Sequence, residues 1–255
     1  MIFCLDRVLF AADSYLAQPK RACMPKTRTI AAVIPARAGS VRIKNKNLME
    51  IGGRPLVERK IAQLQASRLV TEVVLGTNCE TAAELARACG ATVLWREDFF
   101  CDETKASANE MIADLAARIT SDLMVWAHCT NPFIYGTTYD AAIEAYDAAV
   151  ASGYDSLASV YKVQSHMWNS DERPENFDPK APRHPLARDL RPVYFQDGGI
   201  FIQTSARFRE TSYFYGDRPK LFELAFPACH DINTPEDLDI ARRLAPDLDK
   251  DFAFG

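Results

Sequence analysis

An α/β fold built on a mainly parallel sheet is predicted by three features of the sequence. Short, continuous apolar runs (Ile30-Ala31-Ala32-Val33-Ile34, Val73-Val74-Leu75 and Leu123-Met124-Val125-Trp126-Ala127) suit strands buried on both faces. Segments with helical spacing of apolar residues separate these runs. The alternation of strand and helix calls for right-handed crossovers between parallel strands.

The first strand ends at Pro35, which lacks the backbone donor needed to extend a ladder. The following loop places small residues at Ala36, Ala38, Gly39 and Ser40, where a ligand can approach the backbone. Cations stand among and after them at Arg37, Arg42, Lys44 and Lys46. At the carboxyl edge of a parallel sheet, such a loop suits an anion, and phosphate above all. Neither G-x-x-x-x-G-K-[ST] nor G-x-G-x-x-G can be read here, so this is a third kind of phosphate loop.

Gly52-Gly53-Arg54-Pro55 predicts a turn opening a helix with Leu56, Ile61, Leu64 and Leu69 on its buried face. A strand over 72–76 follows. Thr77 to Thr81 then caps a helix carrying Ala82, Leu85, Ala86 and Cys89, which Gly90 stops. Strands are expected over 91–95, 122–127 and 155–161, and helices around 105–119 and over 137–152, the latter closed by Gly153. Pro174, Pro179, Pro182, Pro185 and Pro192 then exclude sheet interior and mark an excursion over 162–195. In His230-Asp231-Ile232-Asn233-Thr234-Pro235 the extended alternation puts residues 231 and 233 on one side. Thr234 caps the last helix, with Pro235 at its first position.

A net charge of −4 argues against a general nucleic-acid binder. The seven cysteines are odd in number and include no C-x-x-C, which fits reduced thiols in a cytoplasmic protein. No apolar run approaches the roughly 20 residues needed to span a bilayer. Residues 1–28 precede the first strand as an N-terminal extension of the 29–255 domain. Met24-Pro25-Lys26-Thr27-Arg28 leads naturally into that strand, which makes Met24 an alternative start.

Pro35-Ala36-Arg37-Ala38-Gly39-Ser40 followed by Lys46-Asn47 resembles the signature of the acylneuraminate cytidylyltransferase family. The resemblance covers about residues 29 to 245. It implies a Rossmann-like three-layer nucleotidyltransferase fold with a protruding dimerisation lobe, a homodimer, and transfer of CMP from CTP to an acidic sugar with release of pyrophosphate. The phosphate roles fall on Arg37 and Ser40, and phosphate and base contacts on Lys46 and Asn47. Ala36 and Gly39 line the nucleotide. Arg42 supplies the cation that sialic acid enzymes often carry directly after the Ser, where this chain has Val41.

Later segments are more divergent. The turn after the second strand has Asn78 in place of an Asp, and Arg96-Glu97 replaces an Arg-Pro pair, leaving Ser107 as the surviving hydroxyl for a nucleotide contact. His128-Cys129-Thr130-Asn131-Pro132 stands where the family has Gln-Pro-Thr-Ser-Pro facing the sugar. This gives His128 and Thr130 sugar-binding roles, with the imidazole donating to a carboxylate or hydroxyl. Asp197 replaces an Asn. Arg183, Arg188 and Arg191 on the excursion are candidates for the sugar carboxylate, with Arg188 foremost. Asp-x-Asp-Thr has become Asp231-Ile232-Asn233-Thr234, so Asp231 and Asn233 are the expected ligands of Mg2+, or of Mn2+. Arg37, Lys46 and Asp231 are the catalytic expectation. A guanylyltransferase of the same class, and a catalytically silent nucleotide-binding paralogue, are the alternatives. A dinucleotide-dependent oxidoreductase lacks its glycine fingerprint.

Overall fold

The computed structural model describes residues 28–39 and 43–250. The expectations for Met24 and for the extension up to residue 27, and those for Ser40 and Arg42, lie outside the described residues.

A seven-stranded sheet forms the centre. Its strands are β1 (Ile30–Pro35), β4 (Glu72–Thr77), β5 (Thr92–Trp95), β6 (Leu123–Ala127), β7 (Ser156–Val163), β8 (Val193–Thr204) and β9 (Pro219–Glu223), in the order β5-β4-β1-β6-β8-β7-β9. A two-stranded ladder, β2 (Glu50–Ile51) with β3 (Arg54–Pro55), closes the Gly52-Gly53 turn. The helices are α1 (Leu56–Gln65), α2 (Glu80–Ala88), α3 (Ala108–Ala116), α4 (Gly136–Val150), α5 (Ser205–Thr211) and α6 (Pro235–Leu248). Within the main sheet only β8 runs against its neighbours, antiparallel to both β6 and β7.

The central strands bury both faces, as their apolar runs require. Ile30, Ala32 and Ile34 of β1 point into one core with residues of α1, α2, α4 and α6, while Ala31 and Val33 point into a second with α3 and α5. That is a three-layer arrangement. The carboxyl ends of β1, β4 and β6 share one edge. The pairing of Ala127 with Ile200 brings Gly198 of the reversed β8 to the same edge, beside His128.

The excursion is shorter than 162–195. The β7–β8 ladder continues through Lys162↔Tyr194 and Val163↔Val193, so the chain leaves the sheet only over 164–192. That segment packs on itself: His166 stacks on His184 at 4.5 Å, and Phe177 meets His166 and Trp168 edge-on.

One close approach fixes how α4 meets the end of α1. A Cβ on Gly136 would lie 2.5 Å from the Ala66 carbonyl carbon and 2.7 Å from the Ser67 nitrogen, backbone atoms that cannot yield cheaply. Gly136→Ala is therefore expected to cost about 1–3 kcal/mol, the usual penalty of overpacking, read as a lower urea midpoint at unchanged slope.

Candidate active site

The loop after β1 is held in place by the backbone of β4 and by two asparagine side chains. The N–H of Ala36 donates to the Gly76 carbonyl at 2.9 Å, and that of Ala38 to Asn78 Oδ1 at 2.8 Å. Ala36 is fully buried with its donor engaged, so it shapes the loop rather than offering an N–H to a ligand. Gly39 has φ +76°, a conformation glycine adopts without strain. Asn45, in the left-handed region, starts a single 3-10 turn over Lys46–Leu48. From this turn Asn47 Nδ2 reaches back to the Arg37 carbonyl at 3.2 Å, and Lys46 Nζ crosses to the Ile232 carbonyl at 2.9 Å. The start of the core and its last extended segment are thus tied by a cation.

Arg37 donates to the Cys101 carbonyl at 3.3 Å and forms an ion pair with Glu103. Any anion approaching this guanidinium would compete with that carboxylate. Glu103→Gln is expected to tighten CTP binding, by no more than about fivefold, because a pair this exposed is worth about 1 kcal/mol or less. Calorimetric titration with CTP checks it, and weaker binding would show that Glu103 assists the nucleotide.

Asn78 has a defined task that an Asp could not perform. Its Oδ1 accepts from Ala38 while its Nδ2 donates to Asp98 Oδ1 at 2.9 Å, joining the phosphate loop to the 98–101 turn. Ser107 is a correction to the sequence reading. Its hydroxyl accepts from the Glu110 N–H and the Glu110 carboxylate accepts from the Ser107 N–H, a capping box at the start of α3, and Ser107 does not line the cavity. Arg96, by contrast, lines it. This arginine is buried and bonds to Asp114 at 2.7 Å and to the carbonyls of Phe100 and Met111.

At the β6 end, His128 Nδ1 lies 2.6 Å from the Gly198 carbonyl and Nε2 accepts from Trp126 Nε1 at 3.1 Å. The carbonyl takes a proton from Nδ1 and the indole gives one to Nε2, so the imidazole is neutral in a fixed tautomer. Burial also pushes its pKa below the ordinary value. The expectation that His128 donates to a sugar carboxylate is therefore corrected: both nitrogens are already engaged, and the ring serves as a wall. Thr130 lines the same space, and its carbonyl accepts from the Ile232 N–H at 2.9 Å.

Asp231 and Asn233 do share one side of their segment, and Asn233 Nδ2 donates to Asp231 Oδ2 at 2.5 Å. Asp231 Oδ1 is buried without a hydrogen-bond partner. Asp231 lines the cavity, whereas Asn233 lines neither cavity, so of the two expected ligands only the carboxylate borders the space. An unpartnered carboxylate oxygen with an amide two residues on is the kind of hard donor set that Mg2+ supplements with water. Asp197 is buried on Ser159 and the Gly199 N–H, and burial raises its pKa.

A cavity of about 350 Å³ brings together Arg37, Lys46, Asn47, His128, Thr130 and Asp231 from three distant stretches of chain. A second cavity of about 420 Å³ adjoins it between Gly39, Asn78 and the 98–105 loop, with Arg37 and Glu103 in the walls of both. Arg188 stands apart on the excursion, with 80% of its side chain exposed, and lines neither. Among the described residues no helix is long and apolar enough to cross a membrane.

Known proteins share both the sequence pattern and the layering. Pseudaminic acid cytidylyltransferase of Campylobacter jejuni is 26% identical over 222 residues, spanning 83% of this chain and 94% of that protein. CMP-N,N'-diacetyllegionaminic acid synthase of Legionella pneumophila is 28% identical over 228 residues, 84% of this chain and 95% of that protein. The structure of CMP:2-keto-3-deoxy-manno-octonic acid synthetase complexed with CTP superposes with a TM-score of 0.60 at 16% identity, covering 85% of this chain and 98% of that one, which establishes the shared fold. A family profile described as cytidylyltransferase matches residues 31–240, most of the described core. The chain belongs to the cytidylyltransferase family.

Proposed function

We propose that this protein transfers the cytidylyl group of CTP to the anomeric hydroxyl of an acidic sugar, a nonulosonic or related α-keto acid, for surface glycan synthesis. The observation that carries the reading is the convergence of the phosphate loop and the Asp231 segment on one cavity, joined by the Lys46 to Ile232 hydrogen bond. Relatives similar over more than four-fifths of the chain are named for making CMP derivatives of such sugars or for transferring cytidylyl groups to them.

The triphosphate would lie against Arg37, Lys46 and Asn47, with the acceptor at the opposite end against Thr130, Gly198 and the ring of His128. The acceptor oxygen forms a bond to the α-phosphorus, the bond from that phosphorus to the β-phosphate oxygen breaks, and pyrophosphate leaves as the hydroxyl proton passes to solvent. Arg37 and Lys46 neutralise charge on the phosphoryl oxygens, so positioning and electrostatics carry the catalysis. Asp231 and Asn233 would hold Mg2+, or Mn2+, which when bound neutralises phosphate charge that the two cations leave uncompensated.

A homodimer completes the reading. Trp168 and Leu186 on the excursion, and Tyr194 and Phe195 at the β8 end beside it, are large apolar side chains exposed by 40% or more, a surface a second copy would cover. Arg188 on the same lobe would then reach a partner's acceptor site. A cytoplasmic setting would suit both the use of CTP and reduced thiols.

Pyrophosphate release measured with each nucleoside triphosphate, with Mg2+ or Mn2+, and with pseudaminic acid, N,N'-diacetyllegionaminic acid and 2-keto-3-deoxy-manno-octonic acid tests the reading. Turnover is expected with CTP and at least one of these acceptors. Turnover with GTP alone, or nucleotide binding without turnover, would replace it.

A further inference from the structure

Helix α1 buries three side chains that an amphipathic helix would turn to solvent. Arg59, Lys60 and Gln63 are each fully buried. All three point at the same two carbonyls. Lys60 Nζ donates to the Asn131 carbonyl at 2.8 Å, Arg59 Nε to the Pro132 carbonyl at 2.7 Å, and Gln63 Nε2 to the same Pro132 oxygen at 2.7 Å. These carbonyls belong to the loop that carries Cys129 and Thr130 into the cavity. On its other sides the loop is held by Asn131 Nδ2 donating to the Asp197 carbonyl at 3.1 Å and by the Ile232 N–H donating to Thr130.

Lys60 is the most costly member of this set. Among the described residues no carboxylate hydrogen-bonds to its Nζ, which donates to the Asn131 carbonyl and to the Tyr139 hydroxyl at 2.9 Å. Arg59 differs: it is paired with Asp249 through two hydrogen bonds, at 2.6 and 2.5 Å. A buried ammonium without a counter-charge destabilises the fold. Its contribution has to be sought in what it holds.

We propose that Lys60, supported by Arg59 and Gln63, is a positioning residue for the acceptor sugar: by pinning the carbonyls of Asn131 and Pro132 it sets where Thr130 stands in the acceptor end of the cavity. This rests on the acidic-sugar reading above. Burial lowers the Lys60 pKa to about 7, so near neutrality much of the population is a neutral amine, whose two N–H donors match its two acceptors. Arg59 adds to the lowering, and the buried thiol of Cys129 opposes it. The phosphate loop has anchors of its own, the Gly76 carbonyl and the Asn78 side chain.

Steady-state kinetics in the acceptor that the wild-type protein turns over fastest, together with calorimetric CTP titration without acceptor, test the proposal on Lys60→Met and Tyr139→Phe. Tyr139→Phe deletes one oxygen and keeps the ring, so a folded protein is available even where Lys60→Met fails to accumulate. The acceptor KM is expected to rise about tenfold in Lys60→Met and about threefold in Tyr139→Phe, because small displacements of a positioning group are costly, while CTP affinity stays within about twofold of wild type. An unchanged acceptor KM in the folded variants, or a parallel loss of CTP affinity, overturns the inference while leaving the acidic-sugar reading intact. Absence of wild-type turnover with every acidic sugar overturns that reading and this inference with it.

Discussion

Asp231→Asn is expected to lower cytidylyl transfer by on the order of 10²- to 10³-fold, the range seen when one preorganised charge-stabilising group is lost. Among the described residues two carboxylates line the cavity, Glu103 and Asp231, and Glu103 is paired with Arg37. Asp231 alone of the two presents a buried oxygen with no hydrogen-bond partner. The neighbouring amide makes the reciprocal variant informative. Asn233 Nδ2 donates to Asp231 Oδ2, so in Asn233→Asp an attractive hydrogen bond becomes a repulsion between two carboxylates. Without divalent cation that variant is expected to melt below wild type by a few degrees, about what 1 kcal/mol is worth in a domain of this size. Added Mg2+ or Mn2+ should restore the loss and bind more tightly than in wild type, read by calorimetry independently of turnover. Unchanged turnover in Asp231→Asn would remove this carboxylate from the reaction, and metal affinity indifferent to both substitutions would remove the cation from this end of the cavity.

The parallel half of the sheet was legible because its strands are continuous apolar runs between capped helices, and β1, β4 and β6 lie where those runs predict. The reversal of β8 was not, since direction depends on the long β7–β8 ladder rather than on any local residue. β9 went unread because Pro219–Glu223 sits at the sheet edge with no clean alternation of buried and exposed residues. In the site, residues close together in the chain are legible as neighbours of one space: Arg37, Lys46 and Asn47 all line the cavity. Residues whose partners are distant are not. The side chain of His128 is decided by Trp126 and by a carbonyl 70 positions away, and Lys60 by carbonyl and hydroxyl groups 71 and 79 positions away. Arg96 escaped assignment because its guanidinium bonds within the 96–114 segment and gives no outward sign of facing a cavity. Ser107 shows the opposite error. Ser107-x-x-Glu110 is a capping pattern in plain sequence, and its local hydrogen bonds take precedence over a ligand contact.

Lys46→Met is the second substitution expected to have a large effect, on the order of 10²-fold in kcat/KM for CTP, because it combines two losses. One is the charge that the proposed reading sets against the triphosphate. The other is the bond to the Ile232 carbonyl, the backbone position between Asp231 and Asn233. Loss of charge alone weakens nucleotide binding, whereas loss of the bridge lets the Asp231 segment drift from the phosphate loop and so slows turnover even at saturating CTP. Lys46→Arg separates the two. It keeps the cation, but a planar guanidinium replaces a compact ammonium and presents its donors in a different geometry at the Ile232 carbonyl. CTP affinity is therefore expected to recover in Lys46→Arg to within about threefold of wild type while kcat stays low. Full recovery of both would mean that Lys46 acts through its charge alone. Recovery of neither would mean that the ammonium contacts the nucleotide in a geometry the guanidinium cannot copy. The split between the two constants thus reports whether the two ends of the chain must be locked together for the α-phosphorus to be attacked.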